Sequence, residues 1–149
     1  MKNHTLPLLC ILSSLCIGLF IYTTSRADIL YINQWLAPIG GFELKSFFQS
    51  LLSQIFIPQW IIYSLPDGLW MLALTLSILM IWNYRIDKKS LPWLGTAMIV
   101  GISVEVFQAV HWIKGSFDII DLLFIMLGAI LPASFSFIKF RSCKTLLDR

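Results

Sequence analysis

Four apolar runs, each close to the length that crosses a bilayer, decide what this chain can fold into. They extend from about Leu6 to Tyr22, Leu65 to Tyr84, Leu91 to Val110 and Ile119 to Ile138. About 20 apolar residues in a helix cover the hydrocarbon core. Of 149 residues, 58% are hydrophobic and 13% charged, with a mean hydropathy of +0.81. A soluble domain carries about 25% charged residues, so a water-facing fold would leave large apolar patches exposed. The expected fold is an all-α integral membrane protein with four transmembrane helices. No repeat, linker or low-complexity tract divides residues 1–149, which read as one domain.

Basic residues set the expected orientation. Eight of the eleven (Lys2, Arg85, Lys88, Lys89, Lys139, Arg141, Lys144 and Arg149) fall on one side of the four spans, against Arg26, Lys45 and Lys114 on the other. The positive-inside rule then puts both termini in the cytoplasm of a multi-pass cell-membrane protein. The net charge of +3 is spread over the connections, which suits lipid headgroups and gives no nucleic-acid footprint. Tyr22, Trp70, Trp82, Tyr84, Trp93 and Trp112 are placed to form interfacial belts. The first run also admits a signal-peptide reading, with Lys2 as basic start and Ser25-Arg26-Ala27 as cleavage region. Its length and the internal Arg26 favour a retained span. Cys10, Cys16 and Cys143 make no disulfide framework.

Between the first two spans, residues 42–56 alternate apolar Leu44, Phe47, Phe48, Leu51, Leu52, Ile55 and Phe56 with polar Glu43, Lys45, Ser46, Gln49, Ser50, Ser53 and Gln54. This is helical spacing with two faces. Gly40-Gly41 precedes the segment and Pro58 ends it. It is too short and polar to span, and is expected to lie as an extracytoplasmic interfacial helix or to pack across the bundle mouth.

The chemistry concentrates elsewhere. Glu105 lies thirteen residues past Pro92, roughly 20 Å along its helix. A carboxylate within hydrocarbon is costly and usually functional. Ala97, Gly101, Glu105 and Gln108, spaced by four, four and three, share one face. Asp118 and Asp121 open the fourth span on the favourable end of its dipole and share a face with Gly128 and Pro132. Asp67 opens the second span within Pro66-Asp67-Gly68, and His111 and Lys114 offer counter-charges. The candidate ligand-binding set is therefore Asp67, Glu105, Gln108, His111, Asp118 and Asp121. Plainer roles compete: an N-cap for Asp118 and for Asp67, a solvated helix end for His111, and a hydrogen bond to Gln108 or His111 for Glu105.

Glu105-Val-Phe-Gln108, then Gly115-Ser-Phe-Asp118-Ile-Ile-Asp121 and Gly128, resemble the VanZ-like family of small bacterial membrane proteins. Pro66-Asp67-Gly68-Leu69-Trp70 also looks like the opening of that family's preceding helix. The resemblance covers roughly residues 60–135. The chain departs from the pattern at Gly115, where an arginine is common, at Ile125, where an asparagine stands, and at Pro132 in place of a glycine. The resemblance implies an envelope-linked protein and, through the family's name-giving member, a link to glycopeptide (teicoplanin-type) resistance.

The leading functional expectation is a non-enzymatic protein that binds a lipid-linked or amphiphilic envelope ligand in an outward-facing acidic pocket. Its partners are membrane lipids, with no nucleic acid, no cofactor and no metal, and homo-oligomers remain open. A membrane-embedded acid–base enzyme, with Glu105 as base and His111 as acid, is the alternative. It lacks a serine or cysteine beside the histidine and a His-x-x-x-His pair, and a divalent cation among Glu105, His111, Asp118 and Asp121 is only weakly signalled. A small proton-coupled transporter also stays open, although no inverted repeat is visible.

Overall fold

The computed structural model describes residues 4–25, 41–52, 56–113 and 117–147. Among these the chain is all helical: α1 (Thr5–Ser25), α2 (Gly41–Leu52), α3 (Gln59–Ile81), α4 (Leu91–Ala109) and α5 (Ile119–Leu147). All but α2 contain a stretch long and apolar enough to cross a membrane, in α5 the part Ile119–Ser136. Hydroxyls inside these stretches donate to their own helix carbonyls: Thr24 to Phe20, Ser77 to Ala73, Thr96 to Pro92 and Ser103 to Ile99. That back-bonding lets a polar side chain sit in an apolar helix.

Helices α3 and α5 form the most extensive pair, followed by α1 with α3; α4 packs much more sparsely on both α3 and α5. The α3–α5 contact rests on two glycines. A Cβ at Gly128 would collide with the Gly68 carbonyl oxygen and meet Leu72 N at 3.0 Å, and one at Gly68 would meet Phe124 O at 2.9 Å. Close backbone approach of this kind is what small residues permit between apolar helices. Met71, Ala97, Ile125 and Ala129 make the buried core beside it. Outward apolar side chains such as Ile99, Val106, Leu127 and Phe135 stay exposed, as suits a surface solvated by hydrocarbon.

Helix α1 runs antiparallel to α3. His4 stacks on Tyr84 at one end, and Tyr22 packs on Trp70 toward the other. Helix α2 lies against the far end of α1: Phe48 meets Phe20 edge-on at 5.0 Å, and Gln49 Nε2 donates to Thr24 O at 3.0 Å. The side chain of Lys45 is buried there, whereas alternation alone had put it on a polar face. The described part of the helix runs to Leu52, residues 53–55 lie outside the described set, and Phe56 is non-helical and exposed.

Two boundaries differ from the sequence reading. Helix α3 starts at Gln59 with Pro58 as its N-cap, and Pro66 sits inside it. Proline there merely leaves the Ile62 carbonyl without its usual donor, a defect that packing tolerates. Helix α5 continues past 138 to Leu147, because the basic stretch after Ser136 contains no helix breaker. Trp70 is likewise not at a helix end; it lies mid-α3 against Gly18, whose added Cβ would meet Trp70 Nε1 at 2.6 Å.

Both helix exits preceding a turn close without glycine. After α3, Asn83 N–H donates to Met80 O and Tyr84 N–H to Leu79 O, with φ of 52° and 61°. After α4, His111 N–H donates to Gln108 O and Trp112 N–H to Phe107 O. Each is a paired Schellman closure, completed after α4 by the stacking of Phe107 on Trp112. The α3–α4 turn is then tied by Asp87, whose Oδ1 accepts the N–H groups of Lys89 and Ser90. Ser90 is fully buried and donates its hydroxyl to Arg85 O.

Candidate functional site

The first half of α3, the second half of α4 and the start of α5 line one cavity of about 960 Å³. At its head stand Gln59, Asp67, Glu105, Gln108, Asp118 and Asp121; its floor is Met71, Leu74, Ala97, Gly101 and Ile125. Trp60, Tyr63, Trp70 and Tyr22 form an aromatic wall, and Trp60 stacks on Phe124 of α5 at 5.7 Å. The cavity is thus polar at one end and apolar at the other.

Three carboxylates converge at the head. Asp67, Glu105 and Asp121 each present an oxygen within 4.8 Å of the other two. They come from three helices, and helical periodicity supplies the rest: Ser64, Asp67 and Met71 line the cavity from α3, Ala97, Gly101, Glu105 and Gln108 from α4, and Asp118, Asp121 and Ile125 from α5. Glu105 is 2% exposed. The Asp118 backbone N–H is its hydrogen-bond donor, yet Oε2 of Glu105 is buried with no hydrogen-bond partner. So are Oδ1 of Asp121 and Oγ of Ser64. All three oxygens belong to residues lining this cavity, and an unsatisfied buried polar atom ordinarily costs about 1–3 kcal/mol.

The described lining contains no Lys, Arg or His. Two charged carboxylate oxygens no more than 4.8 Å apart repel by at least about 3 kcal/mol at an effective dielectric of about 20, and three such pairs are present. The arrangement therefore calls for a cation or protons.

Of the six residues singled out from sequence, five line the cavity: Asp67, Glu105, Gln108, Asp118 and Asp121. Asp118 also caps α5, accepting Ile120 N–H at 2.9 Å. Asp67, by contrast, lies well inside α3, so the cap reading for it does not hold. His111 is not brought to the site. It is exposed, at φ 60°, in the turn that closes α4, so a Glu105–His111 acid–base pair is not assembled. Lys114 and Gly115 lie outside the described residues. Sequence reasoning missed Gln59, Trp60, Tyr63 and Ser64, because it began the helix at Leu65. The signal was present: Ser64 precedes Asp67 by three and Met71 by seven, the spacing of a shared helical face.

No protein-family model, curated protein or solved structure matches this chain.

Proposed function

We propose that this is a multi-pass membrane protein that binds an amphiphilic or lipid-linked envelope ligand, with the head group among the carboxylates and the apolar chain along α4. The carrying observation is that buried unpartnered oxygens of Ser64, Glu105 and Asp121 head a cavity whose floor is apolar. Its volume falls within the range of small-molecule sites, roughly 300–1,000 Å³. Sparse packing of α4 leaves a lateral route by which a lipid tail reaches the floor.

The acidic head faces the extracytoplasmic side in this reading. Basic residues cluster at the opposite end in Arg85, Lys88 and Lys89, and His4 against Tyr84 supports placing the N-terminus at that same end. Helix α2, beside the far end of α1, then lies at the outer interface. Among the described residues behind the VanZ-like resemblance, Glu105, Gln108, Asp118 and Asp121 line the cavity and Gly128 closes the α3–α5 contact. The envelope role in this reading, including glycopeptide resistance of the teicoplanin type, rests on that sequence resemblance.

Native mass spectrometry of the full-length chain extracted from its membrane tests the reading. One amphiphile per chain is expected to survive detergent washing, and the Glu105→Gln/Asp121→Asn double variant is expected to lose it. Undiminished retention of the same amphiphile by that variant, with unchanged teicoplanin susceptibility of the host, would refute the proposal.

A further inference from the structure

We infer that Asp67, Glu105 and Asp121 form a binding site for one hard divalent cation, of the Ca2+ or Mn2+ class, at the head of the cavity. Three carboxylate oxygens within 4.8 Å of one another match the span of such an ion. Ligands about 2.4 Å from Ca2+ stand at most about 4.8 Å apart across the centre. Mg2+, with ligands at about 2.1 Å and strict octahedral demands, tolerates less spread, at most about 4.2 Å across the centre.

Proximity of acids alone would not make a site. The independent observation is that Glu105, 2% exposed, keeps Oε2 unpartnered inside the cavity, as does Asp121 with Oδ1. Lone pairs buried in this way are paired in most proteins. Here a cation satisfies two of them at once and offsets the repulsion between the three acids.

The donor set also selects the metal. Only oxygens converge, and such sites take Ca2+, Mn2+ or Mg2+ in preference to Zn2+ or copper. The described cysteines, Cys10 and Cys16, are exposed on α1, and neither His4 nor His111 lines the cavity. Three monodentate carboxylates leave about three to five of a Ca2+ ion's positions for water or other oxygens. Gln59, Gln108 and Asp118 also line the cavity and offer further oxygens. This site goes beyond amphiphile binding and does not rest on it. With an amphiphile present, its head-group oxygens would take the open positions.

The test uses the full-length protein in nanodiscs of a zwitterionic lipid, with the metal alone as probe. Equilibrium dialysis against Ca2+, and paramagnetic resonance with Mn2+, should each give one saturable ion per chain. Glu105→Gln and Asp121→Asn should each weaken binding at least tenfold, while Glu43→Gln on α2 leaves it unchanged. Should those variants fail to fold, wild-type protein still decides the location. A hydrophobic carbodiimide modifies buried carboxyls, and Ca2+ should slow modification of Glu105 and Asp121 at least tenfold, read by peptide mass spectrometry. Absence of a one-per-chain site, or carbodiimide labelling indifferent to Ca2+, overturns the assignment. Either result leaves amphiphile retention to be judged by its own measurement.

Discussion

Replacing Gly128 by alanine should separate α3 from α5 and disarm the site without touching a carboxylate. The new Cβ would collide with the Gly68 carbonyl oxygen and stand 3.0 Å from Leu72 N. Both obstacles are backbone, so no side chain can swing away. The helices must part by about 1 Å, which forfeits a quarter to a half of the attraction between facing atoms. Overpacking of this kind costs about 1–3 kcal/mol, and the backbone contact argues for the upper end. Gly95→Ala is the matched control: its Cβ meets nothing within 4 Å, and alanine is favoured over glycine in a helix by about 0.5–1 kcal/mol. Unfolding in mixed micelles should therefore rank Gly95→Ala above wild type and Gly128→Ala well below it. Gly101→Ala should fall between them, because the nearest atom there is the flexible Met71 Cε at 2.6 Å. Since Asp67 and Asp121 lie on the same two helices, Gly128→Ala should also weaken Ca2+ binding. A Gly128→Ala protein as stable as Gly95→Ala would refute the packing described here.

Further outcomes follow from the helix ends. His111→Gly should stabilise the protein by about 1 kcal/mol, since a left-handed residue without a Cβ penalty replaces one with it, and amphiphile retention should be unchanged; loss of retention would return His111 to the site. Asp118→Ala should cost about 1 kcal/mol through the lost cap, seen as faster amide exchange at Ile120, whereas Asp118→Asn should keep the cap. In the α3–α4 turn, hydrogen bonds from the backbone N–H groups of Ser90 and Lys89 hold the Asp87 carboxyl below its ordinary 3.8. A lowered folded value contributes stability above 3.8 that fades as pH falls through the lowered value. Protection of the Lys89 and Ser90 amides should thus persist through mild acid and disappear only below that point, a dependence that Asp87→Asn abolishes.

Much of the arrangement was legible from residue order. Apolar length alone located four helices, and the i, i+4 series from Ala97 to Glu105 foretold which face of α4 lines the cavity. Residue order also puts two acids at the opening of α5, where Asp118 caps the helix and Asp121 lies in its first turn. The rest depended on facts that local pattern does not carry. Proline is a common first residue of a helix, so Pro66 looked like a beginning, and the turn before it, with Ser64, went unread. For His111 the plainer of its two sequence readings, a solvated helix end, matches its exposed position, but its backbone role in closing α4 depends on φ, which no composition encodes. Lys45 looked solvated because alternation shows two faces without showing that α1 covers one of them.

Helix α4 touches its neighbours sparsely yet starts from a turn in which Asp87 and Ser90 are firmly tied. Glu105 lies fifteen residues beyond Ser90, about 22 Å along the axis. A pivot of only about 5° at that anchored base would therefore sweep the carboxylate through about 2 Å, enough to assemble or disperse the acidic trio while leaving the α3–α5 frame still. On the proposed cation site, an ion would need only that small tilt of α4 on its anchored base to draw Glu105 toward Asp67 and Asp121.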